Sequence, residues 1–253
     1  MSPPMGIGQG LGLSFVRRKS SPSAPFGPAT VSGNVLFLVS YTGVANAAGK
    51  VTTWTDQSAS PKNALAGTNP PTWAATGGLG GFALITVVGG AGTCLAGTAA
   101  IVAAGADRTI FIVQKASTPG TVGDLLCSTL NARTMVVRYD TAHNTTGDEN
   151  TFGNTGTYTT DTNAHVIEVT YSVGVISPYW IDGTLIAPIG GAVATSDTGL
   201  PVGYFIAGIG TASAGTYQGQ IAAVLVYSGV LSAPNRSIVR QALGSKYGIT
   251  VAP

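Results

Sequence analysis

From Val35 to Tyr227 the chain is a succession of short apolar, β-branched runs closed by glycine, asparagine or aspartate, with no segment between them that reads as a crossover helix. Val35-Leu36-Phe37-Leu38-Val39 follows Gly33-Asn34, and Lys50 to Trp54 follows a glycine turn. Phe82 to Val88, strongly β-branched and apolar, reads as a strand buried on both faces. Arg108 to Lys115, Leu125 to Leu130 and Thr134 to Asp140 come next. His165 to Tyr171 alternates with period two, which sets Val166, Glu168 and Thr170 on one face and Ile167, Val169 and Tyr171 on the other. Tyr179 to Ile186 is split by Asp182-Gly183, a pair that accepts the positive φ angles of a two-residue hairpin turn. Tyr204 to Ile209 and Gln220 to Tyr227 complete the set. Strands at this spacing predict an antiparallel all-β sandwich or barrel.

One helix is predicted, at the end, over residues 232–247. Ser232 suits the N-cap, Pro234 the first turn, and Gly248 the left-handed position that closes a helix. Ile238, Val239, Ala242, Leu243 and Tyr247 make its apolar stripe, and Arg236, Arg240 and Lys246 are expected in water.

Residues 1–32 differ from the rest. Proline, serine and alternating glycines cannot sustain a helix or a central strand, so this segment is expected to be an extended arm ahead of a body spanning residues 33–253. Leu11, Leu13 and Phe15, followed by Arg17, Arg18 and Lys19, are the residues by which such an arm would anchor to a partner. Its charges follow a weak apolar run instead of preceding it, so no cleavable signal peptide is expected. No apolar stretch of about 18 residues occurs, so membrane insertion is not expected either.

Charged residues are only 9% of the 253, against 44% hydrophobic. That balance calls for a packed core and leaves a surface of hydroxyls and amides, poorly protected against self-association; a homo-oligomer is expected. Three of the twelve basic residues are Arg17, Arg18 and Lys19, which leaves nine against ten acidic ones in the rest. Nucleic-acid binding, which needs a basic stripe, is therefore not expected. Cys94 and Cys127 stand far apart and read as two small buried hydrophobes, with a disulfide between them left open.

The segment 141–164 is polar throughout and reads as a long loop. Within it Asp148, Glu149 and Asn150 offer oxygens that suit Ca²⁺, or form a plain solvated acidic turn; no other cofactor is called for. Trp54 and Trp180 lie inside strand patterns and are expected in the core. Trp73, Phe152, Tyr158 and Tyr217 fall between strands and are the candidates for an aromatic platform that binds carbohydrate.

Several motifs occur in a fixed order. Val51-Thr52-Thr53-Trp54-Thr55-Asp56-Gln57-Ser58 is followed by Asn63-Ala64 and Pro71-Thr72-Trp73. Gly81 to Leu95 and then Trp180-Ile181-Asp182-Gly183-Thr184 come next. Tyr217 to Tyr227, Leu231-Ser232 and Lys246-Tyr247-Gly248-Ile249 close the chain. Over roughly residues 34–250 this pattern resembles the concanavalin A-like, laminin G-like jelly-roll domains. It departs from them at Ala59, where a glycine is usual, and at Ala223, where an acid is usual. The resemblance implies a β-sandwich of jelly-roll type. As this module is found in tailed-phage virions, it also implies a binding or structural role more often than catalysis.

Enzymes of the same fold class must be weighed. A retaining glycosidase needs two carboxyl groups about 5–5.5 Å apart, yet Glu149 and Glu168 are the only glutamates and no predicted strand carries two acids. Glu168 reads as an outward-facing strand residue. A Ser-His-Asp triad would have to use His143 or His165, and no G-x-S-x-G elbow is present. Together with the absence of a catalytic constellation, the resemblance implies a non-enzymatic protein of the virion surface (a head-decoration, collar or fibre component) that would meet other virion proteins through its arm and could bind a surface glycan. The alternative is a free-standing secreted or surface lectin-like module.

Overall fold

The computed structural model describes residues 27–253 apart from 91–92, 104, 119–122, 129–135, 140–143, 147–152, 156–159, 173–174, 176–177, 187–202 and 209–216. A short turn of helix, α1 (Gly27–Thr30), precedes β1 (Asn34–Val39), β2 (Val44–Ala47), β3 (Lys50–Trp54), β4 (Ala64–Ala66) and β5 (Thr72–Ala74). Then come β6 (Leu84–Val88), β7 (Leu95–Gly97), β8 (Arg108–Ala116), β9 (Gly123–Ser128) and β10 (Val136–Tyr139). The chain continues through β11 (Asn144–Thr146), β12 (Gly153–Thr155), β13 (Ala164–Tyr171), β14 (Tyr179–Ile181) and β15 (Thr184–Ile186). It ends with β16 (Tyr204–Ile206), β17 (Gln218–Ser228) and α2 (Ala233–Tyr247).

The strands form an antiparallel sandwich. One layer runs β15–β14–β13–β8–β17, and both β1 and β6 pair with the remaining edge of β17. The other runs β2–β3–β4–β7–β16–β9–β10–β11–β12. Strand β5 joins the layers by pairing with both β3 and β6. Period-two alternation explains how the first layer is buried on both sides. Leu36, Leu38, Ile110, Ile112, Ile167 and Val169 point into the space between the layers. Phe37, Val39, Phe111, Val113 and Val166 point outward to meet Val239, Leu243 and Tyr247 of α2. β6 is buried on one side only, Ile85 and Val87 facing in and Val88 out, because its outer face has no helix above it. Both cysteines are buried and are not joined in a disulfide.

The Trp54-x-Asp56-x-Ser58 motif is a fold device. Trp54 is fully buried and its Nε1 donates to the carbonyl of Val39 at 3.1 Å. Asp56, also buried, accepts from the backbone of Phe37 (2.7 Å), Ser58 (2.9 Å) and Lys62 (2.7 Å) and from the Ser58 hydroxyl (2.8 Å). The Asp56 amide donates to Asn63 Oδ1. A buried carboxylate needs several donors to offset its desolvation, and this one ties β1 to the turn after β3.

Expectations about side-chain placement are corrected at Trp180, Glu168, Arg240 and Ile238. Trp180 is half-buried on the outer face of β14, with the Arg236 guanidinium 4.6 Å above its ring. The alternation that buries Tyr179 and Ile181 turns Trp180 away from the core. Glu168 does face outward, but it is fully buried, because α2 lies over it and brings Arg236 and Arg240 within 2.6 Å of its two oxygens. Those arginines are one helical turn apart and share a face. They draw the helix round so that Arg240 is buried and Ile238 is 46% exposed. Gly248 closes α2 in the left-handed conformation, φ 71°. Residues 27–31 belong to the body: Pro28 and Val31 are buried, and the Tyr227 hydroxyl donates to the Pro28 carbonyl.

Candidate binding cleft

A cleft opens where two strands meet end to end. β6 follows the edge of β17 as far as Gln220, and β1 takes up the same edge from Ala223. At the seam β17 carries a bulge between Ile221 and Ala223. Both edge strands end there, so the Ala222 carbonyl accepts instead from the Ser40 amide and the Tyr247 hydroxyl, each at 2.8 Å. As β1 peels away it carries Ser40, Tyr41 and Thr42, and the approach to β6 carries Phe82. With Trp73 of β5 these residues line a cleft of about 300 Å³.

The walls are aromatic. The Tyr41 ring lies 5.6 Å from that of Phe82 and 6.4 Å from that of Tyr247, and Phe82 meets Tyr247 edge-on at 5.9 Å. Burial raises the Tyr41 phenol to about 12, so it stays neutral and keeps its proton at physiological pH. Trp73 packs against the core on one side and lines the cleft on the other, and its Nε1 finds no partner among the described residues. The Lys246 ammonium lies 4.6 Å from the Tyr41 centroid and 4.7 Å from that of Phe82. Aromatic faces with hydroxyls beside them, and no carboxylate in the lining, suit a polyhydroxylated ring.

Of the expected platform residues, Trp73 lines this cleft. Tyr217 is wholly buried, its hydroxyl donating to Gln114 Oε1, and so presents no ring to a ligand; it precedes β17 directly and is drawn into the core with it. Phe152, Tyr158, Asp148, Glu149 and Asn150 lie outside the described residues, as do Leu11, Leu13, Phe15, Arg17, Arg18 and Lys19. Tyr41 and Phe82 were not anticipated, since each sits at the margin of a strand-like run. A bulky aromatic just beyond a strand end is the signal that would have found them.

Two of the described acids are committed to His165. His165 Nδ1 lies 2.7 Å from Asp182 Oδ2 and its Nε2 lies 2.8 Å from Asp161 Oδ1. Burial alone would push the imidazole down, but the hydrogen bonds and charges of Asp182 and Asp161 outweigh it and hold its pKa above the ordinary 6.5. Burial also works upward on Asp161, and its bonds from His165 and Asn163 bring it below 3.8. With both ring nitrogens engaged, His165 has none left to activate a nucleophile, and its ring fills the space between the two carboxylates. Among the described residues no three His, Cys, Asp or Glu side chains converge as a metal site.

No known protein family and no curated protein matches the chain by sequence. Solved structures do resemble it in fold. An arabinofuranosidase bound to arabinofuranosyl-α-1,2-xylobiose has a TM-score of 0.58 at 13% identity, covering 80% of this chain and 52% of that one. The binding domain of Paraclostridial Mosquitocidal Protein 1 has 0.56 at 10%, covering 86% and 55%. A Trypanosoma rangeli sialidase in complex with 2,3-difluoro-KDN has 0.51 at 18%, covering 87% and 34%. The chain thus spans from a third to about half the length of these proteins. Its fold is the β-sandwich found in lectin-like and glycosidase structures.

Proposed function

We propose that this chain is a non-catalytic glycan-binding β-sandwich module of concanavalin A-like, laminin G-like type. Its ligand occupies the cleft between Tyr41, Trp73 and Phe82. The observation that carries the reading is that cleft: three aromatic side chains and adjacent hydroxyls gathered at a seam in the sheet. Two of the similar structures hold a sugar or sugar analogue, which agrees with it. Among the described acids Asp56, Asp161, Asp182 and Glu168 are held in buried or paired positions, which favours a non-catalytic reading. The test is calorimetry of the full chain against a panel of oligosaccharides. One class should bind with a 1:1 isotherm and no turnover, and Trp73→Ala should weaken it about tenfold or more, as loss of a central aromatic contact does. Binding indifferent to Trp73, or release of product, counts against it.

The more specific reading, a virion surface component, adds attachment through the first residues. A body with so few charges favours assembly into a larger, homo-oligomeric array. Its test is deletion of residues 1–26, which leaves α1 in place. The truncated chain should keep its melting temperature and lose co-assembly with its particle; normal incorporation would remove the anchoring role.

A further inference from the structure

We infer that the glycan taken by this cleft carries a carboxylate, which Lys246 recognises. This rests on the glycan-binding reading and narrows it. Lys246 leaves the last turn of α2 and lays its ammonium over Tyr41 and Phe82, the two rings that flank the seam. Among the described residues no carboxylate reaches it, and the cleft lining contains none. Among the described residues the lining carries no cation of its own either, and Lys246 is the positive charge that the aromatic walls hold at their side.

A lysine paired with a surface acid would be an ordinary solvated cation. Here, among the described residues, the ammonium is held by ring faces, an attraction weaker than a charge-assisted hydrogen bond. A carboxylate entering the cleft replaces the weaker contact with the stronger one, and the flexible lysine stem allows the small movement required. The anchor is firm even though the side chain is not. Gly80, at φ 63°, packs so closely on the Lys246 carbonyl that a Cβ there would lie 2.5 Å from it. That contact fixes the end of α2 against the loop that delivers Phe82. The exposed hydroxyl of Thr42 in the lining then lies beside the ring hydroxyls of the sugar.

The experiment compares sugars that differ mainly in charge: trigalacturonate against its methyl ester, and 3′-sialyllactose against lactose, by calorimetry on the full chain in 50 mM and 500 mM NaCl. At least one acid should bind about tenfold tighter than its neutral counterpart, with the gap narrowing at high salt. Lys246→Gln should close the gap by weakening the acid far more than its neutral counterpart, and Lys246→Arg should preserve most of it. Equal affinities within both pairs, or a gap that survives Lys246→Gln, overturn the inference. If neutral sugars then still bind through Trp73, the glycan-binding reading stands alone; if no sugar of either kind binds, both fall.

Discussion

Glu168 on β13 and Arg240 on α2 are 72 residues apart in sequence, and Oε2 of one accepts from Nη1 of the other at 2.6 Å with the carboxylate wholly out of water. Arg236 holds the other oxygen at the same distance. The pairing fixes which face of the helix meets the sheet, and so where Tyr247 and Lys246 stand relative to the cleft. Removing one member of a buried ionic group strands the others. Glu168→Ala should therefore cost about 3–5 kcal/mol in urea unfolding. Glu168→Leu combined with Arg236→Met and Arg240→Met should come close to the parent, because an apolar replacement carries no desolvation penalty.

The two strand tryptophans should respond differently. Trp54→Ala empties a fully buried site and abandons the Val39 carbonyl, at about 3–5 kcal/mol. Trp180→Ala removes a half-buried ring and one cation–π contact, so the loss should be nearer 1 kcal/mol. Equal losses in thermal unfolding would mean that both indoles lie in the core.

His165 makes stability depend on pH in a defined direction. Its proton is held more tightly in the folded chain than in the unfolded one. The stabilisation is therefore complete below about pH 6.5 and is lost as pH rises through the higher folded value. Asp161, lowered in the fold, contributes above its unfolded value and loses that contribution under acid. The melting-temperature advantage of the parent over His165→Asn should be greatest near pH 5–6 and shrink by pH 9. An advantage that grows with pH would contradict the bridged imidazolium.

Gly219 has φ 149°, and a Cβ there would lie 2.3 Å from the Lys115 carbonyl oxygen. Gly219→Ala combines a backbone conformation poor for other residues with a clash against main chain, so about 3 kcal/mol should be lost. A neutral result by denaturant titration would mean that β17 runs further from β8 than described.

What the sequence reveals divides along physical lines. β1, β3, β8, β13, the Asp182-Gly183 hairpin and α2 were legible, because each carries local periodicity, a turn pair or caps. β2, β4, β5, β7, β11 and β12 were not. They are made of a few small or polar residues, such as Ala64–Ala66 and Asn144–Thr146, and exist because neighbouring strands offer a ladder. Trp73 was legible as a candidate platform aromatic, although it lies within β5 and not between strands. The rest of the cleft was not, since Tyr41 and Phe82 meet only because β1 and β6 share one edge of β17, a long-range fact that no local pattern encodes. The burial of Arg240 escaped for a like reason: a charge on a helix reads as solvated until its partner on a distant strand is known.

The most direct measurement uses the three tryptophans as reporters. Their indole N–H signals, assigned by single Trp→Phe substitutions in ¹⁵N-labelled protein, are followed as a binding oligosaccharide is added. Trp73 should shift and saturate with the calorimetric affinity, while Trp54 under the sheet and Trp180 beneath Arg236 stay in place. A bound sugar that leaves Trp73 unmoved would put the site elsewhere and contradict the cleft as the glycan-binding surface.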